Sequence, residues 1–465
     1  MREASETTGQ EIRHGTAQGP ARDHTDREKR VAIVVQRCHE SVVGGAESLA
    51  WQYAQFLKDE YSVDVITSCA ADANSWRNIF PAGPSEREGV RILRFESRPG
   101  HSSYWHRLNE ILAHHHRVFA FRRRRAVGAR SENAMPGVFD PARMIPWTRA
   151  LQREWIQAQG PYSPALLDYI HEHRDAYRVF IFVTYLFAPT AFGLGLVDRS
   201  RRILVPALHD EAPAYLPIYK ELARNAGRIF WNTRAEAELG RRIWGAGLNG
   251  AVVSMGVEAA APATELRKKS PRILYLLYCG RIDPGKGCDR LFRYFRLFQN
   301  QHPGPLKLLL TGNLQMKLPS PRPNIKHLGF VSDAEKLRLM ADARAVVIPS
   351  PHESLSLITL EAMGQGTPVF AYGRNPVLRE HVEASEGGLL FSDYESFRVN
   401  LGRILGTPGL REKLGAGGRR YVSENFETSV VRKRLLAEIA SAPFAAPVDP
   451  ARAASGAEIF GEAID

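Results

Sequence analysis

The sequence predicts an α/β protein made of two doubly wound domains in tandem. Three observations carry that expectation. From residue 31 onward, short apolar runs alternate with longer helical stretches, the pattern of strand–helix–strand units. The runs are rich in Val, Ile and Leu without polar alternation, as in parallel strands covered by helices on both faces. They also fall into two series, parted near Ser254–Pro271, where Gly256, Ala259–Pro262 and Lys268–Pro271 interrupt the pattern.

The first series is Val31–Val35, Ser62–Thr67, Val90–Phe95, Val179–Thr184, Ile203–Leu208 and Ile229–Trp231. The second is Ile273–Cys279, Leu306–Leu310, Ile325–Leu328, Ala345–Ile348 and Pro368–Ala371. The expected layout is a loose tail over 1–30, a first domain over 31–253, a second over 254–425, and a loose Ala-, Pro- and Gly-rich end over 445–465. Residues 1–30 mix six basic with six acidic side chains and contain no apolar run, so they do not read as a secretory signal.

Composition excludes several classes. Hydrophobic residues make up 44% and charged residues 24% of 465, which rules out a wholly disordered, collagen-like or coiled-coil chain. The four cysteines (Cys38, Cys69, Cys279 and Cys288) show no CxxC spacing, so neither a zinc ribbon nor a disulfide scaffold is expected. Sparse cysteine suits a reducing cytoplasm. The net charge of +12 points to an anionic partner without choosing among nucleotide, nucleic acid and membrane surface.

Two segments bear on membranes. Val179–Val197 carries no charge and is long enough to span a bilayer. It opens on a β-favouring run and then meets Pro189, Gly193 and Gly195, so a buried strand, a turn and a short helix are expected. A basic helical insertion is expected over about 101–160. Residues 101–130 hold seven arginines, five histidines and one acid, Glu110. Tyr104, Trp105, Leu108, Ile111, Leu112, His115, Val118 and Phe119 recur at helical spacing ahead of Arg122–Arg125, which gives an amphipathic helix with a basic end. Packing on its own domain is the favoured reading, with docking of 104–125 on an anionic membrane surface the alternative. Nucleic acid is not expected, since no recognisable nucleic-acid module accompanies the patch. The run His114–His116 reads as a solvated helix face rather than a metal site.

The residues that carry chemistry cluster in the second half. A strand runs into Gly280-Arg281-Ile282-Asp283-Pro284-Gly285-Lys286-Gly287, a glycine-rich turn that lets the backbone approach a ligand and ends in a helix start with unpaired N–H groups. Arg281 can fork onto phosphate oxygens and Lys286 adds a compact positive charge. Neither the Walker pattern nor the dinucleotide glycine spacing is present. After Ala345–Ile348 comes Pro349-Ser350-Pro351-His352-Glu353-Ser354-Leu355-Ser356-Leu357, then a helical stretch through Glu361. A turn-rich loop feeding a helix offers N–H groups to an anion, with carboxylates beside it for sugar hydroxyls. In the first half, Val31–Val35 leads into Gly44-Gly45-Ala46-Glu47, whose adjacent glycines allow close approach to phosphate or sugar.

Over most of residues 31–430, and most specifically over 279–287 and 349–369, the chain resembles the retaining GT-B glycosyltransferases of family 4, glycosyl transferases group 1. Glu353 and Glu361 match the two ends of that family's Glu-x7-Glu motif. The resemblance implies two Rossmann-like domains facing a cleft, with the acceptor on the first and a nucleotide-diphosphate sugar, a UDP- or GDP-sugar, on the second. It implies that Arg281, Lys286 and the backbone N–H groups of Ser356 and Leu357 hold the donor diphosphate, with Gly44 and Gly45 over the cleft. Glu361 is implied for the ribose hydroxyls, the backbone of Gly329, Phe330 and Val331 for the base, and Glu353 for the donor sugar. His209, in Leu204-Val205-Pro206-Ala207-Leu208-His209-Asp210-Glu211, matches the histidine that faces the sugar; Asp210 and Glu211 gain only capping or acceptor contacts. The family usually has glycine where Ser356 stands. A helix over 426–444 is implied to cross back to the first domain. No Asp-x-Asp sequence occurs, consistent with a transferase that needs neither metal nor cofactor.

The expected function is therefore transfer of a sugar, with retention of anomeric configuration, to a glycan or lipid-linked acceptor in surface polysaccharide or glycoconjugate synthesis, in the cytoplasm or on the inner membrane face. A sugar-nucleotide epimerase of the same fold is the alternative, separated by its free epimerised product. A non-catalytic nucleotide-sugar-binding protein would be inert toward donor with every acceptor.

Overall fold

The computed structural model describes residues 29–42, 44–126, 145–258, 273–321 and 324–441, with side chains given to residue 118 in the helix that ends at Ala126. The expected tails, most of the seam near 254–271 and the Arg122–Arg125 side chains thus lie wholly or largely outside the described residues.

Among the described residues the first sheet has eight strands: β1 (Arg30–Val34), β2 (Ser62–Ser68), β3 (Gly83–Arg87), β4 (Val90–Phe95), β5 (Val179–Val183), β6 (Arg202–Val205), β7 (Arg228–Trp231) and β8 (Gly250–Val252). Their order is β3-β4-β2-β1-β5-β6-β7-β8, parallel except for the β3–β4 pair. The second has six among the described residues, in order β11-β10-β9-β12-β13-β14: β9 (Tyr275–Cys279), β10 (Lys307–Thr311), β11 (Ile325–His327), β12 (Ala345–Ile348), β13 (Val369–Tyr372) and β14 (Gly388–Phe391), all parallel. Every residue of β5, β9 and β12 is buried, as two-sided coverage by helices requires.

Three strands have no counterpart in the sequence reading. β3 is the polar run GPSER, paired through a hairpin at Glu88 and Gly89, both with positive φ. β8 is three residues long, and β14 follows a helix that ends at Ser385. Each is short and at a sheet edge, where one neighbour suffices and the apolar signal is weak.

Both sheets reverse strand order once around a central strand, at β1/β5 and at β9/β12. At such switch points the loops leaving neighbouring strands diverge and open a crevice beyond the carboxyl ends. The loops after β9 and β12 carry Arg281 and Lys286, and Glu353 and Ser356.

Helix Gly45–Leu57 joins the first domain to the segment beyond β8: Tyr53 Oη donates to Ser254 O at 2.8 Å, and Gln52 exchanges two hydrogen bonds with Gly256. Helix Thr428–Ala440 lies against the first domain, with Arg432 Nε donating to Phe56 O and Arg228 paired to Glu438.

The insertion forms helices Ser103–Ala126 and Arg149–Gln159. Trp105, Leu108 and Leu112 are buried in the first domain's core, and Val118 is buried further along the helix. The histidine run departs from expectation: His114 is buried, and His116 tilts against Tyr215 with ring centroids 4.9 Å apart. Val179–Val183 is the central strand β5, followed by helix Ala188–Gly193. Among the described residues no helix is long and apolar enough to cross a membrane.

Candidate functional site

The phosphate loop leaves β9 at Gly280 and folds back on itself. Asp283 Oδ1 accepts from Lys286 N at 3.0 Å and Asp283 Oδ2 accepts from Arg281 Nε at 2.8 Å, so one carboxylate shapes the turn and aims the guanidinium. The Arg281 side chain stays 57% exposed. Gly287 has φ +76°, and a side chain there would run into the carbonyl of Pro349. Glycine at this position lets the loop after β9 touch the loop after β12.

That contact brings Lys286 to Glu353, with Nζ 2.8 Å from Oε1. Past Glu353 the chain enters helix Leu357–Gly364 through Ser356, which adopts the left-handed conformation (φ +63°, ψ +69°). The usual glycine of the resembling family suits that backbone; here Ser356 Oγ is held 2.8 Å from Thr359 Oγ1 instead. The hydroxyl is therefore tied into the helix's first turn. The N–H groups of Ser356 and Leu357 form no hydrogen bond among the described residues, as expected of a helix start.

One turn into this helix, Glu361 is largely buried. Lys336 Nζ donates to its Oε1 at 2.9 Å, while Oε2 is buried without a partner. Burial raises its pKa against the pull of Lys336. An orphaned carboxylate oxygen of this kind is satisfied by a hydroxyl donor. Gly329 (φ +79°) follows β11, its carbonyl accepting from Gly312 N at 2.9 Å, and Phe330 beside it is 75% exposed.

The first domain contributes the loop after β6. Leu208 N donates to Glu236 Oε1 at 2.6 Å, and the next residue, His209, lies with Nδ1 3.9 Å from Glu211 Oε1. Tyr185 Oη donates to the same Glu211 oxygen at 2.9 Å. Burial lowers the pKa of His209; Glu211 and Glu353 draw it up, and Lys286 and His352 push it down. His209 therefore sits within electrostatic reach of the Lys286–Glu353 pair although it comes from the other sheet.

Gly44 and Gly45 lie where helix Gly45–Leu57 begins. A side chain at Gly44 would meet the Glu47 carboxylate, which Arg37 holds in a salt bridge at 2.5 Å, whereas Gly45 has open space around it. Among the described residues no group of three or more His, Cys, Asp or Glu is placed to hold a metal ion.

The structure thus pairs Lys286 with Glu353, keeps Arg281 on the Lys286 loop and Ser356 and Leu357 on the Glu353 loop, and sets His209 within electrostatic reach of the pair, with Glu361 one turn into the helix. Sequence reasoning missed Lys336, Glu236, Thr233 and Glu380, whose roles arise from contacts 25 to 146 residues away along the chain. Thr233-Arg234-Ala235-Glu236 carries the local Thr-x-x-Glu signal of a helix start, but nothing in the sequence marks the distant contacts of these four residues.

Two Rossmann-like domains with their strand ends turned toward a common cleft define the GT-B class. Sucrose-phosphate synthase from Thermosynechococcus elongatus has this fold at TM-score 0.61 and 17% identity, covering 90% of this chain and all of that one. Anabaena HepE in complex with UDP and glucose matches at TM-score 0.59 and 16% identity, over 89% of this chain and all of that one. Residues 263–421 match the family described as Glycosyl transferases group 1. D-inositol 3-phosphate glycosyltransferase from Jonesia denitrificans is 30% identical over 206 residues, 37% of this chain and 47% of that protein. The matched stretch spans about half the length of that relative, and of a second protein of the same name from Acidothermus cellulolyticus.

Proposed function

We propose that the protein is a retaining glycosyltransferase of the family 4 type, moving a sugar from a UDP- or GDP-sugar to a glycan or lipid-linked acceptor in surface polysaccharide or glycoconjugate synthesis. One observation carries the reading: Lys286, Glu353 and His209 converge from three loops of two domains beside the open N–H groups of Ser356 and Leu357. That arrangement suits a leaving nucleoside diphosphate on one side and a sugar developing positive charge on the other.

In this reading the donor diphosphate lies on Arg281, Lys286 and the helix start, which stabilise the charge that builds on the leaving group. Lys286 is shared between phosphate and Glu353, which fixes the carboxylate while its second oxygen stays available to the sugar. Glu361 Oε2 takes a ribose hydroxyl, and the Gly329–Val331 backbone, with Phe330 exposed beside it, borders the base. His209 faces the sugar from the acceptor side. The reaction needs no metal or cofactor in this scheme. The HepE complex holds UDP and glucose, which favours a UDP-sugar as the first donor to try.

Peripheral attachment to an anionic membrane belongs to the same reading in reduced form. Trp105, Leu108, Leu112 and Val118 of helix Ser103–Ala126 are buried while Tyr104 is exposed, so among the described side chains little apolar surface is left to meet lipid and charge would carry the attachment. Each arginine near such a surface contributes about 1 kcal/mol, screened by salt.

A thermal-shift series with UDP, GDP and ADP and their sugars tests the donor, because a ligand of the folded state raises the melting temperature. Incubation of the stabilising sugar nucleotide with glycan and lipid-linked acceptors then tests transfer. Stabilisation by no nucleotide sinks the proposal; release of a free epimerised nucleotide sugar replaces it with the epimerase.

A further inference from the structure

Helix Arg234–Trp244 of the first domain starts where both halves of the candidate site are held. Its N-cap, Thr233, is 1% exposed. Thr233 Oγ1 accepts from Glu236 N at 3.1 Å and donates its single proton to Ser354 O at 3.1 Å, across to the second domain. Ser354 follows Glu353 in the chain. Glu236 is fully buried; its two carboxylate oxygens accept from Leu208 N at 2.6 Å and Asn232 N at 2.5 Å. Leu208 precedes His209. A continuous run of buried hydrogen bonds thus leads from the backbone beside His209, through Glu236 and Thr233, to the backbone beside Glu353.

The second domain answers at the same helix start. Glu380 accepts from Ala235 N at 2.6 Å and Arg234 N at 3.2 Å, a carboxylate seated on the positive end of a helix from the other domain. The next residue, His381, is buried with Nε2 2.7 Å from Leu355 O. The carbonyls of Ser354 and Leu355 are therefore both anchored, one from each domain.

We propose that Thr233 is a positioning residue that sets the Glu353 loop against the His209 loop, so that the start of helix Arg234–Trp244 is the register between the two halves of the site. An N-cap serving only its own helix has no need to donate to the opposite domain, and Glu236 has no need to reach the loop before His209. The geometric part stands on the contacts alone; the kinetic part rests on the transferase reading.

The test compares Thr233→Val, which keeps the volume and loses the hydroxyl, with Thr233→Ser, which keeps the hydroxyl. The first readout needs no activity. Glu353 draws the His209 pKa up, so Glu353→Gln lowers the His209 midpoint followed by NMR. In the Thr233→Val background that displacement is expected to shrink by at least about half, and Thr233→Ser to restore it, since charge coupling falls with separation. The second readout is steady-state transfer: Thr233→Val lowers kcat by about tenfold or more with little change in donor KM, the mark of misplacement rather than lost binding. An unchanged Glu353–His209 coupling in folded Thr233→Val overturns the proposal, as does failure of serine to rescue. Lost coupling in a protein that transfers no sugar keeps the register and removes the transferase reading. Should Thr233→Val not fold, Glu380→Gln takes its place: it keeps the cap but weakens the opposing anchor, and unchanged coupling there overturns the proposal equally.

Discussion

Lys286 and Glu353, 67 residues apart, form a half-buried ion pair with Nζ 2.8 Å from Oε1. The cation proposed for the leaving diphosphate and the anion proposed for the sugar thus hold each other in place before any ligand arrives. Partial burial strengthens their attraction relative to a surface pair, and the loop contact at Gly287 sets the distance.

Glu353→Gln is expected to lower kcat by about 10²–10³, comparable with loss of one preorganised electrostatic contact. Donor KM should not rise, because the substitution releases Lys286 for phosphate. Both constants are to be measured at saturating acceptor. Wild-type turnover in the variant would remove Glu353 from the reaction centre.

Glu361→Ala should act the other way. Its unpartnered Oε2 is placed for a hydroxyl that stays bound throughout the reaction, so donor KM rises more than kcat falls. A hydrogen bond to a charged group is worth about 1.5–3 kcal/mol, or about tenfold or more in affinity. Lys336 keeps Asp333 at 3.0 Å as a second partner, which limits damage to the fold. A kcat effect with unchanged KM would contradict the ribose assignment.

Ser356 separates backbone strain from side-chain bonding. Left-handed backbone costs a non-glycine residue roughly 1 kcal/mol, and the Oγ bond to Thr359 returns a similar amount. Ser356→Gly should therefore be nearly neutral in urea unfolding. Ser356→Ala keeps the strain and loses the bond, so it should cost about 1 kcal/mol. A glycine variant less stable than the alanine variant would locate the strain elsewhere.

His381 makes the Glu353 loop sensitive to acid. Burial lowers its pKa to about 4, and Nε2 must carry the proton because a carbonyl only accepts. In the unfolded chain a histidine titrates near 6.5. As pH falls from about 6.5 toward 4 the unfolded chain takes up a proton that the folded chain refuses, so stability falls by up to about 3 kcal/mol. Urea unfolding at pH 7, 6 and 5 should show this slope in wild type and a shallower one in His381→Gln. Identical slopes would mean that His381 is not the group responsible.

The sequence by itself determined the parts that depend on local pattern. Apolar runs without polar alternation marked the central strands β1, β5, β9 and β12, because a strand buried on both faces has almost no polar positions to blur it. Glycine-rich turns after β9 and before helix Gly45–Leu57, and the Glu353–Glu361 spacing, marked the candidate loops for the same reason: chemistry close to a backbone needs particular residues in succession. Tertiary structure alone decided what those loops meet. The Lys286–Glu353 pair, the Lys336 contact to Glu361, the Thr233 bridge to Ser354 and the burial of His114 join residues far apart in the chain or from different domains. The edge strands β3, β8 and β14 belong with them, since pairing with a neighbour, and not their own composition, makes them strands. Hydrogen bonds and ion pairs of this kind act over a few ångströms in space, and distance along the chain carries no trace of them until the sheets have packed.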